Sequence, residues 1–368
     1  MRLCKKYFVC ALVFSGAVFF GACLLFANHP KVSGTVIPPA LQKFPTEPDD
    51  IDRQLGQNFI VGISGSVLDP GTKAFLLHVH PAGIVLYGQN ISSKDQLKSF
   101  IQQLQVLAMQ DTHRPYLIMI DEEPSGATRL RTFVNAFPDS EPDWSKMAQD
   151  AGDLAGLGVN VDLAPIADFP FVGNAYVADR VPASSVPELI DFNQKFIQVL
   201  HAAGIAATLK HFPGLGFFAD DPHMTLPTTS VSPQTMDLSF SIFQAGINDG
   251  ADFVMPAHGI YEYLDPVNPA TLSSRIITDT LRQKLGFNGI VVTDDLSAMP
   301  FIPGGDMSLA SATVTALVAG NNLLMFSHDP AQTQALYDTL LERVKTDPDL
   351  RALAVQNYNR IVSYKNAH

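Results

Sequence analysis

Charged and imidazole side chains in this chain gather where short apolar runs end. Asp121, Asp162 and Asp168, the pair Lys210 and His211, then His258, and finally Asp294 and Asp295 all stand at such positions. A single Asp after a strand ordinarily caps the next helix, but this many polar residues at corresponding positions exceed what capping requires. Carboxylates interleaved with Lys and His are the side chains of acid–base and covalent chemistry. Asp221-Pro-His223 adds an Asp-x-His spacing that sets both side chains on one side of an extended loop. There the carboxylate can hold the imidazole tautomer and raise its pKa toward the working range. Asp295 is expected to point away from Asp294 along the pleat and to cap the following helix. Lys210 also admits a reading as a Schiff-base lysine, and His258 is expected to shape the pocket.

Two further patterns lead nowhere. His78-x-His80 lacks a third ligand for a metal. Gly214-x-Gly216 lacks the further Gly and the acid of a dinucleotide loop. These two glycines are instead expected to let the loop swing, so that His223 arrives with the substrate. No cofactor and no metal is implied.

Those residues need strands to hold them. Apolar runs fall at 58–65, 83–87, 116–121, 159–165, 206–211, 253–258, 289–294 and 322–327. Several are continuous Val/Ile/Leu stretches without polar alternation, the pattern of parallel strands covered on both faces. Helical segments at 143–158, 186–204, 232–250 and 278–285 lie between them, and three of these end in Gly158, Gly204 and Gly250. Eight alternating strands and helices fit a single (β/α)₈ barrel, whose strand C-termini carry the active site. A doubly wound sheet shares the alternation, so periodicity alone leaves both open.

Composition narrows the class. The net charge is −12, and after residue 30 the chain holds 21 bases against 36 acids. Nucleic acid, which demands clustered Lys and Arg, is thereby excluded as a partner. The three Cys are Cys4, Cys10 and Cys23, so a disulfide scaffold, a thiolate metal site or a Cys nucleophile is excluded beyond residue 23. Arg2, Lys5 and Lys6 precede an uncharged stretch over 7–27, which reads as a signal peptide or membrane anchor. The segment Phe20-Gly21-Ala22-Cys23 resembles a lipobox. Residues 28–50 carry five Pro and read as a tether, leaving 51–368 as the folded body. The body is expected outside the cytoplasm, in the periplasm or cell envelope, attached to the membrane or secreted.

The segment Lys210-His-Phe-Pro-Gly-Leu-Gly216, followed by Asp221-Pro-His223, resembles the signature of the bacterial β-N-acetylhexosaminidases of glycoside hydrolase family 3. Leu285-Gly-Phe-Asn-Gly-Ile-Val-Val-Thr-Asp-Asp-Leu-Ser297 is similar to that family's nucleophile segment. Ile120-Asp-Glu-Glu123, Val161-Asp-Leu-Ala-Pro165 and Ala257-His258 follow in the family's order. The resemblance implies the barrel rather than the open sheet. It also implies removal of terminal β-linked N-acetylglucosamine with retention, from peptidoglycan fragments or chito-oligosaccharides. On it, Asp294 is the nucleophile and His223 the acid/base with Asp221 as partner. Asp121, Arg129, Arg180, Lys210 and His211 bind the sugar, and Lys210 and His211 keep the nucleophile ionised.

The chain departs from the family at several points. Asp-Gln-Glu-Gly-Gly-Arg-Val-Gln-Arg is here Asp121-Glu-Glu-Pro-Ser-Gly-Ala-Thr-Arg129, and Val181-Pro182 replaces a small residue and Phe. Those changes bear on the leaving-group side of the pocket. A phosphorylase, a β-glucosidase and a non-catalytic envelope protein binding cell-wall sugar stand as alternatives.

Overall fold

The computed structural model describes residues 50–130, 142–173, 175–219, 226–299 and 307–368. Eight parallel strands close into a barrel: β1 (Phe59–Gly62), β2 (Gly83–Leu86), β3 (Leu117–Ile120), β4 (Val161–Asp162), β5 (Ala206–Phe212), β7 (Phe253–Pro256), β10 (Ile290–Asp295) and β11 (Leu323–Phe326). They neighbour one another in chain order, and β11 returns to pair with β1. Each coincides with one of the eight apolar runs. The remaining strands, β6 (Thr228–Thr229), β8 (Ile260–Tyr261) and β9 (Asp265–Pro269), form a small sheet from the segments that follow β5 and β7.

The apolar runs lack alternation because both faces of every strand are buried. Ile60, Val85, Met119, Val161, Met255, Val292 and Met325 pack together as one cluster. Their neighbours Phe59, Val61, Ile84, Leu86, Ile118 and Ile120 belong to a second cluster shared with the helices. Odd and even positions therefore both face apolar partners, as a filled barrel inside a ring of helices demands.

The helices are α1 (Ile51–Gly56), α2 (Pro70–Val79), α3 (Lys94–Asp111), α4 (Trp144–Leu157), α5 (Ala175–Ala178), α6 (Val186–Ala202), α7 (Pro233–Asn248), α8 (Leu309–Ala319), α9 (Pro330–Thr346) and α10 (Pro348–Ala367). Side-chain caps start them where the sequence supplies Asp or Ser: Asp143 accepts from two backbone N–H groups of α4, and Ser185 from Glu188 of α6. Gly158, Gly204 and Gly250 follow α4, α6 and α7 with φ of 100°, 77° and 92°, which explains Gly at each stop. The segment expected to be helical from residue 278 begins earlier and is a π-helix, Arg275–Lys284. The Thr280 hydroxyl donates to the Arg275 carbonyl five residues back, in keeping with the wider turn.

Residues 7–27 and nearly all of the Pro-rich stretch lie outside the described residues. Among the described residues no helix is long and apolar enough to cross a membrane.

Candidate active site

A cavity of about 660 Å³ opens at the C-terminal ends of the strands. Five charged side chains line it as one continuous ion chain. Arg129 donates to Asp121 Oδ2 at 2.9 Å, and Lys210 Nζ donates to Asp121 Oδ1 at 2.8 Å. Lys210 also lies 2.7 Å from Glu123 Oε1. Arg180 then grips Glu123 with two bonds, Nε to Oε2 at 2.9 Å and a terminal nitrogen to Oε1 at 2.6 Å. Three cations against two carboxylates leave this chain with one net positive charge.

Burial makes the pairing strong. Burial alone would lift the Asp121 and Glu123 carboxyls, yet Lys210, joined by Arg129 at the first and Arg180 at the second, holds both below their ordinary values. Burial likewise works against the Lys210 ammonium, but Asp121 and Glu123 outweigh it and raise its pKa. An amine held protonated is no nucleophile, so the Schiff-base reading of Lys210 loses its chemical basis. Gly126 makes the loop possible: a Cβ there would sit 1.9 Å from Glu123 Oε2. Tyr87 completes this side, with the Arg129 guanidinium 4.9 Å above its ring.

A second line of groups approaches Asp294. Asp168 accepts the backbone N–H of His211 with both oxygens at 3.1 Å and meets His211 Nδ1 at 2.8 Å. That contact fixes the imidazole with Nε2 toward Asp294, 4.0 Å from its carboxylate. Lys210 and His211 are consecutive, yet both line the cavity. The pairing of β5 with β7 shifts register between Lys210 and Phe212, which breaks the simple two-residue alternation. The peptide bond between Lys210 and His211 is cis.

Asp294 and Asp295 divide as expected. The Asp294 side chain is 31% exposed and Asp295 only 6%. Asp295 caps the short 3₁₀ turn Leu296–Ala298 through Ser297 N at 2.9 Å, and also bonds Ser327 and His328. Asp294 accepts the Asp295 N–H with one oxygen at 2.8 Å. His258 is held between the Thr271 hydroxyl and the Asp295 carbonyl, at 2.8 and 3.2 Å, and burial lowers its pKa. It walls the cavity as a neutral ring.

Beneath the ion chain lie two carboxyls whose pKa moves the other way. Glu122 is pushed up to about 7, chiefly by burial. Asp162 is raised well above its ordinary value, again first by burial. Asp162 accepts the Glu122 N–H at 3.0 Å, while Glu122 Oε1 accepts the N–H groups of Arg129 and Leu130. Together they fix the 121–130 loop from below.

Of the residues singled out from sequence, Asp121, Arg129, Arg180, Lys210, His211, His258, Asp294 and Asp295 line one cavity. Asp221 and His223 lie outside the described residues. One reading changes. Lys210 serves Asp121 and Glu123, so of the two expected partners of Asp294 only His211 approaches it. Gly214 and Gly216 are close-packed: a Cβ would lie 2.5 Å from Ser239 Oγ at the first and 1.8 Å from the Phe169 carbonyl oxygen at the second. His78 and His80 bond separate carboxylates, Asp338 and Asp111. Glu123, Asp168, Tyr87 and His328 enter as additional parts. Glu123 carried a signal, since it lies in the 120–123 segment beside Asp121.

The profile of the glycosyl hydrolase family 3 N-terminal domain matches residues 53–363. A β-hexosaminidase of Xanthomonas campestris pv. campestris (strain B100) is 31% identical over 297 residues, covering 75% of this chain and 86% of that protein. The crystal structure of a β-N-acetylhexosaminidase from Beutenbergia cavernae superposes with a TM-score of 0.75 at 26% identity, over 86% of this chain and 98% of that one. A family 3 β-N-acetylglucosaminidase from Paenibacillus sp. str. FPU-7 also gives 0.75, at 27% identity over 86% of this chain. The chain spans 62% of the length of that Paenibacillus protein. A barrel with this rim of charged groups, matched along nearly its whole body, is thus a member of glycoside hydrolase family 3.

Proposed function

We propose that this protein hydrolyses terminal, non-reducing β-linked N-acetylglucosamine with retention of configuration. One observation carries the reading: Asp294 opens into a cavity whose other walls are an ion chain with one net positive charge and a His held by a second carboxylate. A carboxylate in that setting stays ionised and can attack an anomeric carbon, giving a covalent glycosyl–enzyme that water later opens. Asp121 keeps acceptor capacity on both oxygens for sugar hydroxyls, and Arg129, Lys210 and Arg180 supply donors around the ring. His223, oriented by Asp221, protonates the leaving oxygen and then acts as base toward water. The names of the Xanthomonas, Beutenbergia and Paenibacillus relatives support the choice of sugar.

Release of nitrophenol from nitrophenyl β-N-acetylglucosaminide tests the activity, and the anomer first formed, read by NMR, tests retention. Asp294→Asn should lower kcat by about 10⁴-fold or more. Equal rates in variant and wild type would refute the assignment. Faster cleavage of the β-glucoside would point to a glucosidase instead. Sugar 1-phosphate as the main product in phosphate buffer would make phosphate the acceptor, which the net positive ion chain would tolerate. The basic start and the apolar 7–27 stretch support export to the cell envelope; recovery of the protein in the cytoplasmic fraction would overturn that.

A further inference from the structure

The active-site cavity does not end at Asp179 and Ser125. Both residues also line a second cavity of about 840 Å³, set between the first turns of α4 and α6 on the same end of the barrel. That volume has room for a saccharide residue. Its walls mix one large ring with carboxylates. Trp144, the only Trp in the chain, is half-buried with its ring 5.2 Å from that of Phe192. Val181, Pro182 and Ala183 form the apolar side. Three acids, Asp179, Glu188 and Asp191, face a single base, Lys195, which is itself bonded to Asp191 at 2.8 Å. Arg180, at the boundary, is bonded to Glu123 through Nε and one terminal nitrogen.

We infer that this second cavity receives the sugar on the leaving-group side of the scissile bond, and that it selects a neutral pyranose over one bearing a carboxylate. The inference rests on the glycosidase reading of the adjoining site. A pyranose presents an apolar face of C–H groups, which packs against an indole, and a rim of hydroxyls, which carboxylates accept. The uneven charge supplies the selection. An aglycone with a lactyl or peptide carboxylate would enter a cavity whose described lining carries three acids and one base, that base already bonded to Asp191.

Three substrates separate this inference from the reading beneath it. Nitrophenyl β-N-acetylglucosaminide reports the Asp294 site with a minimal aglycone. N,N′-diacetylchitobiose adds a neutral second sugar, and N-acetylglucosaminyl-β-1,4-N-acetylmuramic acid adds a charged one. Wild type should favour chitobiose over the acidic disaccharide by about fivefold in kcat/KM. Trp144→Ala should lower the chitobiose-to-aryl ratio of kcat/KM by about tenfold, mainly through KM, and Trp144→Phe should restore most of it. Asp179→Asn combined with Asp191→Asn should remove the preference for the neutral sugar. The lone indole also reports occupancy without turnover. In Asp294→Asn, chitobiose should shift Trp fluorescence and free N-acetylglucosamine should not. Preference for the acidic disaccharide, a ratio unmoved by Trp144→Ala, or an unresponsive indole would each overturn the inference. Absence of aryl cleavage by wild type, with the indole still responding to chitobiose, would sink the glycosidase reading and leave the sugar site standing.

Discussion

Glu122 tests how burial sets charge beneath the site. Burial is the leading cause that lifts its carboxyl from an ordinary 4.5 to about 7, against the opposing N–H groups of Leu130 and Arg129. One oxygen, Oε1, accepts both N–H groups, each at 2.6 Å. In the unfolded chain this carboxyl loses its proton near 4.5, while the folded protein keeps it to about 7. Between those values the folded state binds more protons, so the contribution of Glu122 to stability falls as pH rises. The penalty is absent below the unfolded pKa and complete above the folded one. At about 1.4 kcal/mol per pH unit, the separation is worth about 3 kcal/mol. Glu122→Gln keeps a carbonyl oxygen for both N–H groups and places an amide where the acidic proton stood. The variant should therefore match wild type near pH 4.5 and exceed it by about 3 kcal/mol at pH 8. Denaturant unfolding of both proteins at intervals from pH 4.5 to 8 measures the difference directly. A difference that stays constant with pH would refute the reasoning, because only a titrating group generates a slope.

Other perturbations read other parts of the design. Gly126→Ala should drive its methyl group into Glu123, costing about 1–3 kcal/mol and at least about tenfold in kcat/KM. Gly152→Ala in α4, where a Cβ meets nothing within 4 Å, should gain about 0.5–1 kcal/mol in thermal unfolding with unchanged kinetics. Asp168→Asn should free His211 to adopt the other tautomer, lowering kcat by about 10²-fold or more with little change in KM. Lys365, at the opposite end of the barrel, is brought down to about 7 by burial and then by Arg114. Its unfolded state binds the extra proton between about 7 and 10.5, so stability should rise with pH across that window, by about 4 kcal/mol from this group. Lys365→Met should flatten that rise, and an unchanged slope would show that another group titrates there.

What the sequence exposed and what it hid follow from range. The eight strands were legible because each is buried on both faces and so reads as an unbroken apolar run, and three helix stops because only Gly tolerates their φ. Asp295 was legible as a cap because capping is settled within two residues, at Ser297. The partners of Lys210 were not. They lie 89 residues away at Asp121, and at Glu123 in a turn with no strand periodicity of its own. Nothing local distinguishes a Lys that neutralises Asp294 from one that joins two other carboxylates. The β5 register shift is similarly invisible to a two-residue period, yet it accompanies the entry of both Lys210 and His211 into the cavity. Asp168 was legible as a polar strand-end residue, but its hold on His211 depends on two segments 43 residues apart.

The order of charges along the ion chain carries an asymmetry that mutation can expose. Lys210 stands at its centre, with an acid on each side and an Arg beyond each acid. Removing Lys210 leaves two neutral pairs, Arg129 with Asp121 and Arg180 with Glu123, each still hydrogen-bonded. Removing the charge of Glu123 leaves Lys210 with one of its two carboxylates, Asp121, and takes from Arg180 both of its bonds to Glu123. Loss of a bidentate carboxylate that also neutralises the buried Lys210 is the costlier defect, about 3–5 kcal/mol, whereas a divided but paired chain should lose about 1–2 kcal/mol. Glu123→Gln is therefore expected to destabilise the barrel more than Lys210→Met, although Lys210 is the larger side chain and makes the longer-range contacts. Both should lose sugar affinity, since each disturbs donors around the cavity. Chemical denaturation ranks the two stabilities independently of activity. If Lys210→Met proved the less stable variant, the centre of the chain, and not its pairing, would be what holds the strand ends together.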